Sequence, residues 1–270
     1  MNKILIFILA IGIFASCNLE KEIDLNLPEF EPELVVECYL EPGKPYRANL
    51  FQTTSYYGPT QDLFNSIVTN ATVIITYQGI ADTLVPGIYV DLDNIYIYGS
   101  PTIVPADYTS DFSLEVIDSA GNVITATTKI APPVQIDSIQ VEPLVADSSV
   151  IVLTFSQDDP TEANFYRRMQ YRTDPTRTDS LKLDFVVNDE VTSNGELVLG
   201  GPPFFFQGDT MVIQFMEITE AFYDYVDSRE RLEAANGNPF GQPGKIKTNI
   251  NGGIGIFTGF TPTLQTFILD

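Results

Sequence analysis

Few residues in this chain could carry covalent chemistry, and the commonest side-chain base is missing. No histidine occurs among the 270 residues. Ser-His-Asp and Cys-His catalysis therefore have no proton acceptor near neutral pH, and most zinc sites lose a usual ligand. Cysteine occurs twice, as Cys17 and Cys38. The second lies in ELVVECYLE, an apolar, strand-like context that marks a buried, inert thiol. Three carboxylates, Asp158, Asp159 and Glu162, stand close together in SQDDPTEAN. They could offer oxygens to calcium, but the spacing matches no EF-hand loop, and a solvated acidic loop is the simpler reading. Glycoside hydrolysis needs two carboxyl groups roughly 5 to 10 Å apart. With 36 acidic residues some such pair is unavoidable, so pairing alone points nowhere. NGGIGIFTGF lacks the Lys-Ser/Thr of a phosphate loop and does not lead into a helix. Its glycines instead suit a strand or turn passing close to another backbone, with Ile254, Ile256 and Phe260 filling core positions. No catalytic residue, metal or cofactor is expected.

The other cysteine reads as an anchor. Met1-Asn2-Lys3 opens the chain with one positive charge, and ILIFILAIGIF (4–14) follows with no charged residue. As a helix that run reaches about 16 Å, too short for a bilayer core of about 30 Å. A basic start, a short apolar stretch and small residues make a secretory signal peptide over 1–16. Phe14-Ala15-Ser16-Cys17 resembles the bacterial lipobox, in which the cysteine is lipidated and becomes the mature N-terminus, although Phe stands where Leu is usual. One acyl chain holds a protein only marginally, and several chains on Cys17 would anchor it to a lipid bilayer. An extended acidic tether over 17–32 follows. Within it Glu20-Lys21-Glu22 resembles an acidic surface-export signal, which implies outer-membrane attachment facing outward.

Composition sets the frame for what hangs on this tether. The chain is 44% apolar, enough for one large or two modest cores, and its formal charge is −22. Removing the leader takes Lys3 with it and makes the mature protein one unit more negative. Such a chain repels nucleic acid and anionic headgroups, so nucleic-acid binding is excluded.

From Glu33 onward the pattern is β. Strands are expected at 34–40, 47–53, 71–77, 95–98, 113–117 and 123–130. They are separated by turn signals such as Pro42-Gly43, Pro86-Gly87 and Gly121-Asn122. Pro132-Pro133 then reads as a semi-rigid junction. Further strands are expected at 136–141, 150–155, 165–172, 181–187, 196–199 and 211–216. One amphipathic helix is expected near 219–235. Thr219 is its N-cap, Phe222, Tyr225, Val226 and Leu232 form its apolar face, and Gly237 is its stop. The fold class is therefore mainly β, with two immunoglobulin- or fibronectin-like sandwiches over 33–131 and 132–270.

Two aromatic stretches are candidate contact sites. Phe204, Phe205 and Phe206 run consecutively in GGPPFFFQGD, so a strand there must turn at least one ring away from its own core. Exposed, they would make a sticky patch, and buried, they would bridge the two domains. Tyr56 and Tyr57 could stack on a sugar ring.

Several of these segments occur together in one family. ELVVECYLEPG, ATVIIT, the Pro-Pro junction, the Tyr-Asp-Tyr helix, the NPF turn and NINGGIGIF, with the lipobox cysteine, resemble Bacteroidota lipoproteins of domain-of-unknown-function family 4249. The resemblance spans essentially the whole mature chain. It departs where PVQIDSIQV runs on with little acidic or tryptophan-bearing insertion, since the chain has no tryptophan. It implies a non-catalytic surface lipoprotein acting as accessory or binding subunit of a TonB-dependent outer-membrane transporter. A stand-alone glycan-binding or adhesive module using the aromatic loops is the alternative.

Overall fold

Period-two alternation in LVVECYL and PYRANLFQ buries every second side chain, and the two segments pair as an antiparallel hairpin. The computed structural model describes residues 31–54, 63–91, 94–144, 149–173, 182–202, 205–235 and 244–269. Its first strands are β1 (Leu34–Leu40), β2 (Pro45–Gln52), β3 (Thr72–Tyr77), β4 (Ile80–Asp91), β5 (Asn94–Ile103), β6 (Phe112–Ile117) and β7 (Val123–Thr128). Then come β8 (Ser138–Pro143), β9 (Ser149–Gln157), β10 (Phe165–Arg172), β11 (Lys182–Asn188), β12 (Glu196–Leu199), β13 (Phe205–Phe206) and β14 (Thr210–Ile218). Helix α1 (Glu220–Ala235), β15 (Ile254–Gly259) and β16 (Thr263–Ile268) complete the described elements.

The first sandwich is one sheet ordered β15-β1-β2-β5-β4-β3-β6-β7. It folds over on β4, whose first half pairs with β3 and whose second half pairs with β5. Val36, Cys38, Leu40, Ala48 and Leu50 from one layer pack against Val73, Ile75, Leu114, Val116 and Ile124 from the other. The two ends of the sheet meet where Thr125 and Asn251 exchange backbone hydrogen bonds of 3.1 and 2.8 Å. Asp107, in the loop before β6, accepts hydrogen bonds from the Ser110 hydroxyl, the Thr109 N–H (2.9 Å) and hydroxyl (2.8 Å), and the Tyr77 hydroxyl (2.8 Å). These donors, the Ser110 hydroxyl first, hold its carboxyl well below the ordinary carboxylate range. A lowered carboxyl stabilises the fold above the unfolded value of about 4, and that support fades as pH falls toward the folded value. Asp107→Asn is therefore expected to lower stability at neutral pH and to flatten the acid limb. Unfolding midpoints measured from pH 6 down to pH 2 check this.

In the second sandwich β9 pairs with β8 on one side and with β12 and β13 on the other. The facing sheet runs β11-β10-β14-β16. Val150, Val152, Leu197, Leu199 and Phe205 meet Tyr166, Met211, Ile213 and Phe215 between the layers. Arg168 is also fully buried there. It crosses from β10 to β9, donating from Nε to Thr154 Oγ1 (3.1 Å) and from Nη2 to the Val152 carbonyl (3.0 Å).

A third core joins the two sandwiches. Thr219 caps α1 as the sequence suggests, its Oγ1 accepting the Phe222 N–H at 3.3 Å. The helix buries Phe222, Tyr225 and Val226 against Met216 and Ile218 of β14 and Ile256 of β15, with Phe260 and Tyr39 alongside. Tyr225 also donates to Glu37 Oε1 on β1 at 2.9 Å. Residues Pro32–Asp270 accordingly form one compact unit.

Strands β13 and β16 stand where the sequence predicts none, and two larger features also differ from the sequence reading. Residues 132–270 do not all serve the second sandwich, because β15 pairs in parallel with β1, Val35 opposite Ile254. Parallel pairing leaves no hairpin turn to announce it. The Pro86-Gly87 turn is instead a bulge within one long strand. The ladder to β5 slips between Pro86 and Tyr89, where proline has no N–H to give.

Candidate interaction surface

The chain over 80–103 is aliphatic at many positions and contains no lysine or arginine. It folds into the β4–β5 hairpin, which is tightly held against β2. Arg47 on β2 donates from Nη1 to the carbonyls of Tyr46 (2.8 Å) and Ser100 (2.9 Å). Its guanidinium lies 4.5 Å from the centre of the Tyr89 ring. Tyr89 can lie so low because Gly99 is beneath it. A Cβ at Gly99 would fall 2.7 Å from Arg47 Nη1 and 3.0 Å from the ring. Asn49 replaces part of the β2–β5 ladder, donating to the Ile95 carbonyl at 3.1 Å and accepting the Ile97 N–H at 2.9 Å.

Several apolar side chains of the hairpin nevertheless face water. Val85 is 57% exposed, Ile88 79%, Val90 70%, Ile95 61% and Ile103 51%. Val90 stands directly across from Ile95, and Ile88 precedes Val90 by two residues. Val90 and Ile95 therefore form an exposed cross-strand pair, with Ile88 in the bulge beside it. Large aliphatics gathered in this way are a usual mark of a contact surface. The charges nearby are Asp82, bonded to the Ser100 hydroxyl at 2.9 Å, Asp91, and the Arg47 guanidinium beside Tyr89. Lys44 lies 3.5 Å from Asp91 and 2.9 Å from Glu41.

A family model described as Domain of unknown function (DUF4249) matches residues 20–266. The chain belongs to that family. No curated protein matches it. Among solved structures, two chains described as cytokine receptor complexes, in crystal forms 1A and 2, are similar at 12% identity. They cover 70% of this chain, match over 86% and 93% of their own lengths, and give TM-scores of 0.25 and 0.26. Likeness at that level carries no argument.

The other candidate residues of this DUF4249 chain fall out differently. Cys17, Glu20, Lys21, Glu22, Tyr56, Tyr57 and Phe204 lie outside the described residues. Phe205 is fully buried in the second sandwich, so it neither forms an exposed patch nor bridges the domains, and Phe206 is 39% exposed. Strand pairing with β9 imposes this, since neighbouring residues of a strand face opposite ways. The Asp158 and Asp159 carboxylates hold their own loop together, and Glu162 joins through its backbone carbonyl, which accepts from Asn164 Nδ2 at 3.2 Å. Asp158 accepts the Tyr166 hydroxyl at 2.6 Å, and Asp159 accepts the Thr161 N–H at 2.9 Å and its hydroxyl at 2.6 Å. No group of three acids, cysteines or histidines placed to hold a metal occurs among the described residues. An open cleft of about 240 Å³ lies beside the start of α1, lined by Glu220, Asp224, Lys247 and Thr248 among others. Its one cation is already paired, Lys247 Nζ lying 2.6 Å from Asp224.

Cys38 is free and fully buried, and burial pushes its thiol far above the ordinary range. A maleimide is expected to label Cys38 only as fast as the protein unfolds. Mass spectra across a denaturant series check this, and rapid labelling of the folded protein would contradict it.

Sequence reading missed the hairpin surface. The signal was present as Val85, Ile88, Val90 and Ile95 in a stretch without a cation, but Pro86-Gly87 divided it into two weaker segments.

Proposed function

We propose that this chain is a non-catalytic, outward-facing outer-membrane lipoprotein. It is held by lipid on Cys17 and acts as an accessory or binding subunit of a TonB-dependent transporter. The observation that carries the binding role is the β4–β5 hairpin, which exposes several large aliphatics, whereas most others among the described residues are packed inside. The anchor rests on the leader and cysteine of the sequence, and the transporter on the family resemblance. Catalysis has no part in the reading, because the chain lacks histidine and its described cysteine is sealed away.

Purification of the full-length protein from detergent-solubilised outer membrane tests it. A transporter barrel retained through size exclusion, with a diacylglyceryl group on Cys17 in the mass spectrum, is the expected result. A bare thiol at Cys17, or a protein that elutes alone and binds polysaccharide, would overturn it in favour of a secreted or glycan-binding module.

A further inference from the structure

We infer that strand β16 docks on a second copy of this chain. The two strands pair antiparallel about a two-fold axis at Thr266 and join two second sandwiches along one continuous sheet. The inference goes beyond the transporter reading and does not rest on it, since a monomer could serve a transporter equally well.

Three observations support it. First, the outward row of backbone groups reads the same from both ends. Strand β16 is the last of its sheet among the described residues, and the Leu269 N–H donates to the Asp209 carbonyl at 2.9 Å. By alternation along the unbroken ladder, Thr263, Gln265 and Phe267 turn their backbone groups to β14, and Leu264, Thr266 and Ile268 turn theirs outward. Pro262, with no N–H, closes the row at one end. A copy rotated about Thr266 sets Thr266 on Thr266 and Leu264 on Ile268, each a hydrogen-bonded pair. Second, the side chains fit that register. Leu264 is 58% exposed and Ile268 62%, on the same face as Thr266, so each leucine gains an isoleucine across the seam and the threonines meet. Third, the edge lacks what usually guards one. TLQTFI holds no charge, proline or glycine, and Thr210, Val212 and Gln214, beside it on the same face of β14, are uncharged too. Glu217 lies beyond the ladder, and Asp209 is paired with Arg172 at its other end.

An edge that pairs with its own copy closes at a dimer, because the far edge of the sheet is a different strand, β11, which carries Lys182 and Asp184. One strand pair buries less than the roughly 1,600 Å² of a standard interface, so the dimer is weak. Each copy has a formal charge of −22, and their mutual repulsion weakens it further at low salt.

The test treats the full-length protein, in the cells that produce it, with a short bis-maleimide. The variants are Thr266→Cys, Leu264→Cys and Ile88→Cys, and the buried Cys38 stays silent in all three. The two-fold register puts position 266 about 5.5 Å from its copy and position 264 roughly 14 Å from its own. The expected result is a linked homodimer from 266, in at least tenfold higher yield than from 264 or 88. Raising the salt concentration should increase that yield. Adding Ile268→Lys should cut it at least tenfold while the unfolding midpoint stays unchanged. Adducts from 266 to a different protein, or equal yields from 264 and 266, overturn the inference. So does the lack of a homodimer from 266, whether or not a single maleimide labels it. The transporter reading survives each of these results.

Discussion

Gly255→Ala is expected to destabilise the protein by at least about 3 kcal/mol and to lower its unfolding midpoint by roughly 6 °C or more. Gly255 has φ +121°, a region essentially confined to glycine. It also lies against β1 so closely that an added Cβ would overlap the Val36 carbonyl oxygen and fall 2.8 Å from its carbon. Both atoms are backbone, so no side chain can swing aside to make room. The strand would have to separate from β1, and β15 has buried side chains on both faces. Phe257 belongs to the first core and Ile256 to the core under α1. One methyl group therefore strains two cores at once. Gly208→Ala is the control. Gly208 has φ +86° but open space where its Cβ would go. Backbone strain alone should cost it about 1 kcal/mol. Equal thermal shifts for the two variants would show that close approach to β1 is not what Gly255 supplies.

Arg168→Met is expected to stabilise the protein by about 1 to 2 kcal/mol, whereas Arg168→Ala is expected to cost about 3 kcal/mol through the cavity it leaves. Burial pushes the Arg168 guanidinium down to about 10, with no carboxylate contributing in the opposite direction. A drop of that size from the ordinary 12.5 corresponds to a penalty on the order of 3 kcal/mol. The sign follows from the charge. Burial disfavours the cation, so the full cost applies at neutral pH and is relieved only as pH rises above about 10. Its hydrogen bonds to Thr154 and Val152 offset part of this, but Nη1 has no partner, and neither does Oε1 of the buried Gln170. Both unpaired atoms lie near Gly201, 3.7 and 3.8 Å from where a Cβ would stand. Methionine keeps most of the volume, removes the charge and leaves two β9 acceptors unsatisfied, and the balance favours it. Denaturant unfolding at pH 7 checks both variants. A large loss for Arg168→Met would mean that the bonds to β9 outweigh the burial penalty.

Much of the fold was legible where one face of a segment is buried. The boundaries of β1, β10 and β12 match the expected 34–40, 165–172 and 196–199 because alternation there is uninterrupted. Thr219 was legible as a cap because capping is local chemistry. The glycines of NGGIGIF were legible as a close backbone approach, and Gly255 against Val36 is that approach. The partner strand was not, because β1 lies some two hundred residues away and no local signal connects them. The middle of β4 was misread for the opposite reason, since a strong local signal, Pro86-Gly87, suits a bulge as well as a turn. Among the candidate contacts, three adjacent phenylalanines gave no means of telling which ring faces inward. Pairing with β9 decides that for Phe205. The exposed hairpin was hardest to see, because an aliphatic strand reads as core until its neighbours are known.

Strand β15 has a further consequence for how the chain is made. Val35 finds its partner in Ile254, and Leu40 in Gly259. A ribosome releases the first of these early and the second near the end. Throughout that interval β1 can pair with β2 but keeps its other flank open, and such long-range closure is slow. The growing chain thus carries an unsatisfied strand edge until its last stretch emerges, and any segment cut short before residue 254 would keep that edge for good. Shielding during synthesis is accordingly a demand that this topology itself imposes.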